Sequence, residues 1–121
     1  MSMIEDPAVA WLSRVLDLSV ARSELVMSNM ANIDTPGYRT RDIDFRQELE
    51  RAADEPFAYA AISPAVRTVQ GLVERPDGNN VSLEREGLLL ADTQLRFNAA
   101  VQLLRDRFKI LNSAIHEGSS S

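Results

Sequence analysis

Apolar residues in the N-terminal part of the chain recur every three or four positions, which is the spacing of one helical face. This line consists of Val9, Leu12, Leu16, Ser19, Ser23, Val26, Met30 and Ile33, of which six are apolar. A second apolar line beside it consists of Trp11, Val15, Leu18 and Leu25. Asp6 and Pro7 are typical of a helix start. The pattern predicts a helix over residues 8–33 whose two apolar faces both need neighbours.

A longer helix is predicted over residues 81–116, opening at the N-cap Ser82 and stopping near Gly118. Its apolar line alternates spacings of four and three: Leu83, Gly87, Leu90, Gln94, Phe97, Val101, Leu104, Phe108, Leu111 and Ile115. A sustained 3.5-residue period favours a left-handed coiled coil. A second contact face is formed by Leu88, Leu89, Leu95 and Leu103. Arg107 lies off the line, and we expect it to be solvated.

The segment between the helices is rich in turn signals and poor in periodicity. Pro36 and Gly37, between Thr35 and Tyr38, predict a type II turn, in which glycine accepts the positive φ. A weak alternation over residues 38–45 indicates a possible short strand, and only residues 46–53 have helical character. Three prolines divide the rest, so this segment is expected to complete a helical bundle poorly.

These patterns predict a mainly α protein with three parts. Residues 1–33 form an N-terminal helix, residues 34–80 a turn and irregular linker, and residues 81–121 a C-terminal helix with a flexible tail. The two long terminal helices are expected to pack as a coiled coil. The irregular middle segment carries the Thr-Pro-Gly turn and the possible short strand.

Composition removes several kinds of chemistry. The 121 residues include no cysteine and one histidine, which excludes disulfides, thiolate sites and multi-histidine metal sites. A net charge of −5 gives no electrostatic case for nucleic acid, and no apolar run is long enough to span a membrane. Two carboxylate pairs, Asp42 with Asp44 and Glu84 with Glu86, are interpreted as turn and helix-start residues. We predict no catalytic, cofactor-binding or metal-binding residues and no small-molecule substrate.

Two separated motifs resemble the flagellar rod and hook proteins of bacteria. Residues 28–38, SNMANIDTPGY, are similar to the signature of that family, and the continuation RDIDF over residues 41–45 is similar to its proximal rod member. A second match is DGNNV over residues 77–81, followed by Leu83-Glu84 and by QLRF with Asn98 in the last helix. Together the matches cover about half the chain, and residues 46–76 match nothing in the family's pattern.

The resemblance implies a structural subunit of the proximal rod in the flagellar basal body. Members of this family pass through the flagellum's own type III export channel, and their terminal helices polymerise as an inner coiled-coil layer. The implied partners are other rod proteins, the protein that joins the rod to the MS ring, the export apparatus and further copies. Export without a cleavable signal peptide agrees with Glu5 and Asp6, which stand where such a peptide has basic residues.

The resemblance and the periodicity together nominate two sets of residues. The predicted assembly interface consists of Leu12, Leu16, Val26, Met30, Leu90, Phe97, Val101, Leu104, Phe108 and Leu111. The predicted turn motif consists of Asn29, Asn32, Thr35, Pro36, Gly37 and Tyr38. Two alternatives from other classes stay open at this point. One is a coiled-coil adaptor or secretion chaperone of an export apparatus, and the other is a small helical enzyme or ligand binder.

Overall fold

The computed structural model describes residues 6–55 and 63–120. Three helices and two short strands follow one another along the chain. Their bounds are α1 Pro7–Ala31, β1 Arg41–Ile43, α2 Phe45–Asp54, β2 Val66–Thr68 and α3 Leu83–Ser120. The predicted mainly helical fold with two long terminal helices is confirmed. In the described ranges, no helix combines the length and apolarity needed to cross a membrane.

The helix starts are capped as their sequences predict. The Asp6 carboxylate accepts a hydrogen bond of 2.8 Å from the backbone N–H of Ala8, and Pro7 occupies the first turn of α1. The Ser82 hydroxyl accepts one from the N–H of Arg85 at the start of α3. The predicted stop at Gly118 is wrong, because α3 continues to Ser120. A single glycine costs about 1 kcal/mol in a helix and does not by itself end one.

α1 and α3 lie antiparallel along each other. The start of α1 meets the middle of α3, where Arg107 Nε donates to Asp6 Oδ2 at 2.8 Å. The end of α1 meets the start of α3, where Asn29 Nδ2 donates to Glu86 Oε2 at 3.1 Å. Because α3 has 38 residues and α1 has 25, the last turns of α3 extend past the start of α1.

The middle segment covers one face of α1, contrary to the expectation that it would pack poorly. β1 and β2 form an antiparallel pair in which Asp42 lies opposite Arg67. The buried core consists of Leu18, Ile43 and Phe45, with Val15, Ala21, Leu25 and Leu49 packed against it. In the second apolar line of α1, Leu18 is therefore buried within the chain, and Val15 and Leu25 are half-buried against the same core. The prolines do not prevent this, because one three-residue strand and one ten-residue helix are enough to cover the line.

α3 meets α1 through a face about one residue away from the predicted apolar line. The buried residues of α3 are Glu86, Thr93, Ala100 and Leu104. Of these, only Leu104 belongs to the predicted line, whereas Gly87 and Gln94 on that line are exposed. Hydrophobic periodicity does not predict this contact face, because the face includes polar residues and the periodicity counts only apolar ones.

Candidate functional site

The Thr-Pro-Gly-Tyr segment forms the turn that its sequence predicts. The N–H of Tyr38 donates to the carbonyl of Thr35 at 3.2 Å, which closes a four-residue turn with Pro36 second and Gly37 third. Gly37 has φ of +75°, which is the left-handed region that a type II turn requires at this position. The turn redirects the chain from the end of α1 into β1.

A second turn precedes α3. The N–H of Gly78 donates to the carbonyl of Arg75 at 2.8 Å, and the N–H of Asn79 donates to Asp77 Oδ1 at 2.9 Å. Gly78 has φ of +87°. These bonds make the Asp-Gly-Asn-Asn segment a turn that leads into the last helix.

The two turns dock on each other, and we call residues 35–38 and 75–80 together the turn unit. The N–H of Gly37 donates to the carbonyl of Asp77 at 2.8 Å, and that of Asn80 donates to the carbonyl of Tyr38 at 3.3 Å. The fully buried amide of Asn79 donates to the carbonyls of Asn32 and Thr35 at 2.9 and 2.8 Å. The turn unit therefore joins two segments about forty residues apart through hydrogen bonds.

Asn29 lies in α1 and connects the turn unit to α3. Its buried side-chain amide donates to the carbonyl of Arg41 at 2.8 Å and to Glu86 Oε2 at 3.1 Å. Its oxygen accepts from the hydroxyl of Tyr38 at 2.9 Å and from the N–H of Arg41 at 3.1 Å. All four hydrogen-bonding positions of the amide are filled, so one side chain fixes the turn, β1 and α3 relative to α1.

An ionic network continues from Asn29 along the same three elements. Asp42 is buried and accepts from Arg22 of α1 at 3.0 and 3.1 Å and from Arg85 of α3 at 2.8 Å. Arg85 also donates to Glu86 at 2.9 Å. Glu86 lies in the first turn of α3 as predicted, and it is also fully buried and bonded to α1. Such networks fix the orientation of the elements more than they add stability.

Three members of the two acidic pairs, Asp42, Asp44 and Glu86, are bonded to cations, backbone donors or an amide. Asp44 caps α2 by accepting from the N–H of Gln47 at 3.0 Å, and Glu48 in that helix accepts from Arg14 and Arg51. Within residues 6–55 and 63–120, no group of three or more His, Asp or Glu is placed to hold a metal ion. The arrangement of these carboxylates positions helices and loops.

Gly71 and Gly78 both have positive φ, but only Gly78 lies against the other turn. Replacing each by alanine therefore distinguishes the cost of backbone strain from the cost of disturbing the docked turns. An ideal Cβ on Gly78 would lie 3.3 Å from the Cα of Gly37, whereas one on Gly71, which has φ of +80°, would meet nothing within 4 Å. Gly71→Ala should cost about 1 kcal/mol of unfolding free energy from its positive φ alone. Gly78→Ala should cost roughly 2 kcal/mol or more, because the docked backbone must also move. Urea unfolding checks this, and equal losses would show that the turns do not press on each other.

Two capping carboxylates have lowered pKa values. The side-chain hydrogen bond from Arg107 lowers the pKa of Asp6 against the opposing effect of burial, and the N–H of Ala8 adds to it. The backbone N–H of Gln47 lowers the pKa of Asp44, with a contribution from Arg67. Both groups therefore bind protons less readily in the folded chain than in the unfolded chain.

The lowered pKa values predict that the free energy of unfolding decreases at acid pH. The stabilisation from Asp6 and Asp44 is complete above their unfolded pKa of about 4 and is lost as pH falls through the lower folded values. The free energy of unfolding, measured between about pH 6 and about pH 2, should therefore decline below about pH 4. Asp44→Asn keeps a competent cap but removes the titrating charge, so its decline should be shallower. An unchanged slope in that variant would contradict the assignment.

The residues of the predicted interface occupy different environments in the single chain. Val26 and Leu104 are buried, and Leu90 and Phe108 are exposed. The half-buried members are Leu12, Leu16, Met30, Phe97, Val101 and Leu111. The role of this set in assembly remains a prediction.

The prediction that Arg107 is solvated is wrong. Its side chain is 37% exposed, and it pairs with Asp6 because antiparallel packing brings the start of α1 to this turn of α3. Sequence reasoning also missed Asn79 and Asn80 as structural partners of the turn motif and Asp42 as the partner of Arg22 and Arg85. The DGNNV match includes Asn79 and Asn80 but does not indicate which residues they contact.

The two motifs that resemble the flagellar rod and hook proteins form one unit in the structure, in which the TPGY and DGNNV turns dock on each other between two long helices. Comparison with known proteins specifies the member. Flagellar basal body rod protein FlgB of Salmonella typhimurium is 32% identical over 133 residues, covering 94% of this chain and 96% of that protein. FlgB of Cereibacter sphaeroides is 36% identical over 115 residues, covering 85% and 89%.

The Escherichia coli protein of the same name is 30% identical over 133 residues. No model of a known protein family matches the chain. The similarity to these relatives extends over nearly the whole of both chains, including the middle segment that carries no recognisable motif. The chain therefore belongs to the FlgB family of flagellar basal body rod proteins.

Proposed function

We propose that this chain polymerises through α1 and α3 into the proximal rod, where the helices surround the channel through which later subunits are exported. The observation that carries the proposal is the apolar surface left after the chain has folded. Large apolar side chains remain exposed on both helices: Val20, Met27, Leu83, Leu88, Leu90, Leu95, Leu103, Phe108, Ile110 and Ile115. Extended apolar surface of this kind marks a contact with other proteins.

The partners in this proposal are further copies of the chain, other rod proteins, the protein joining the rod to the MS ring, and the type III export apparatus. The relatives are named as rod proteins of the basal body, which supports this location. The buried carboxylates are bonded to arginines and amides that orient helices, which supports a structural and non-enzymatic role. Export without a cleaved signal peptide belongs to the same proposal.

The test is to replace the gene with one encoding a tagged chain and to isolate basal bodies. The proposal expects the tag in the rod, an intact N-terminus by mass spectrometry, and loss of swimming when the gene is deleted. A chain that stays in the cytoplasm bound to export substrates would instead support an adaptor or chaperone.

A further inference from the structure

A basic cleft lies where the two strands and the start of α2 meet the two long helices. Its volume is about 540 Å³. Five of the chain's twelve arginines line it together with two carboxylates, whereas the whole chain has a net charge of −5. The charged lining residues are Arg22, Arg46, Arg67, Arg85 and Arg96, with Asp42 and Asp44. The cleft therefore attracts anions although the chain as a whole repels them.

The arginines of the cleft form an inner and an outer group. Arg22 and Arg85 are mostly buried and bond the same buried carboxylate. The side chains of Arg46, Arg67 and Arg96 are 90%, 57% and 47% exposed, and we call these three the outer arginines. Within the described ranges, each outer arginine donates to one carboxylate. Because an arginine has five N–H donors, most of theirs are available to a ligand.

The outer arginines suit a carboxylate ligand. Their present ion pairs are accessible to solvent, and such pairs contribute little to stability. The guanidinium of Arg96 also lies over the ring of the buried Phe45, 4.9 Å from its centroid. This contact orients one guanidinium at the cleft before a ligand binds. The planar fork of a guanidinium matches the two oxygens of a carboxylate.

One edge of β2 borders the cleft and is open. Within residues 6–55 and 63–120, β2 pairs with β1 alone, and all three of its residues are exposed. The N–H of Val69 donates to the carbonyl of Thr40 at 2.9 Å. Since alternate residues of an antiparallel strand bond the partner strand, the backbone N–H and C=O of Thr68 point away from β1. Thr68 also lines the cleft. Such an edge can bond the backbone of an extended polypeptide.

We propose that the cleft binds an extended acidic segment of another protein, which adds to the open edge of β2 and places its carboxylates against the outer arginines. The open edge favours a polypeptide over a small anion, because only a polypeptide has a backbone to pair with it. The inference goes beyond the proposed assembly, because none of the lining residues belongs to the exposed apolar set on α1 and α3.

A second copy of this chain does not provide such a segment from its described residues. The exposed acidic residues of ranges 6–55 and 63–120 lie in or beside helices and turns, apart from Glu74. Glu74 pairs with Arg39 and has no acidic residue two positions away. A strand needs acidic residues at alternate positions to place two carboxylates on one side. The acidic segment therefore belongs to a different protein.

A labelled synthetic peptide of alternating glutamate and valine tests the cleft. Its binding to the purified full chain is measured by fluorescence anisotropy, and we expect it to weaken as salt is raised. The matched peptide with glutamine in place of glutamate should bind at least about tenfold more weakly, the effect of losing one charge-assisted hydrogen bond. Equal affinity for the two peptides, or binding of neither, would overturn the inference.

Two double variants locate the binding. Arg46→Gln with Arg67→Gln removes two outer arginines, and Arg41→Gln with Arg105→Gln removes two exposed arginines that do not line the cleft. Both variants lose the same charge, and neither should change the circular dichroism spectrum. The first should bind the glutamate peptide at least about tenfold more weakly than the second. Equal affinities would mean that the peptide binds elsewhere on the chain.

Thr68→Pro tests the strand edge separately from the charges. Proline removes the N–H that points away from β1 and is tolerated on that side of an edge strand, so the pairing of β1 with β2 should persist. This variant should lose peptide binding, whereas Thr68→Val keeps the N–H and should bind normally. Normal binding by the proline variant, or loss in both, would contradict addition to the edge.

A photoreactive amino acid at Gln70, an exposed residue of the cleft, identifies the partner in cells. We expect a cross-link to another protein at a segment with several acidic residues, and its loss when Arg46 and Arg67 are both replaced by glutamine. Cross-links only to further copies of this chain or to lipid would overturn the inference. None of these outcomes alters whether the tagged chain is found in basal bodies, so the proposed function is tested independently.

Discussion

Asn29→Ala is expected to lower the free energy of unfolding by about 3 kcal/mol, since it removes four hydrogen bonds at a buried site and each group left without a partner costs about 1–3 kcal/mol. The largest part of this loss of unfolding free energy comes from the Glu86 carboxylate, which is fully buried and would lose the hydrogen bond from Asn29. Small domains have roughly 5 kcal/mol to lose at the lower end of their range, so little stability would remain. Urea unfolding followed by circular dichroism measures the loss.

Asn32→Ala is the matched control within the same motif. Asn32 is half-buried, and among residues 6–55 and 63–120 its side chain bonds only Ser28 and Thr35 near the helix end. Its replacement should cost about 1 kcal/mol, the usual net contribution of such a bond. Equal losses from the two alanine variants would mean that the amide of Asn29 does not join the turn, β1 and α3 as the distances indicate.

Val101→Asp is expected to abolish swimming, with later rod and hook proteins no longer detected outside the cytoplasm. Val101 lies on the predicted apolar line of α3 and is half-buried in the single chain. In the proposed rod a neighbouring helix would bury it further, and an unpaired carboxylate there costs several kcal/mol of desolvation. Every subunit carries the defect, so the penalty recurs at each equivalent contact.

Arg105→Asp is the control for that experiment. Arg105 is exposed on the same stretch of α3 and lies off the predicted line, so reversing its charge should cost under about 1 kcal/mol in one subunit. Arg107 does not serve this purpose because it pairs with Asp6. If Val101→Asp cells swim and Arg105→Asp cells do not, the assembly face of α3 has been assigned incorrectly.

The two turns show which features could be predicted from the sequence and which could not. The type II turn at Gly37 could be predicted because its geometry depends on two adjacent residues, proline and glycine. The docking of that turn on residues 75–80 could not, because it depends on hydrogen bonds between segments about forty residues apart. Asn79 shows no periodicity and carries no charge, so only its position against Thr35 reveals its role.

The middle segment shows a second kind of limit. The three prolines and the weak alternation correctly predicted a break between long helices, and a short strand and a helical stretch were both placed close to β1 and α2. Their packing against Leu18 was not anticipated, because burial depends on which face of α1 is left open by α3. That choice is made by the whole fold and not by any local stretch of chain.

The sequence by itself determined the two helices, their caps, the turn and the family, since each depends on local spacing or on a contiguous motif. The tertiary structure decided which faces are used. α3 meets α1 through Glu86 and Thr93 rather than mainly through the apolar line, because Glu86 is bonded to Asn29 across the contact and to Arg85 of its own helix. Hydrophobic periodicity cannot register a polar residue whose burial is offset by a partner on another element, so the apolar line was assigned to the pairing of α1 with α3, whereas much of it faces outward.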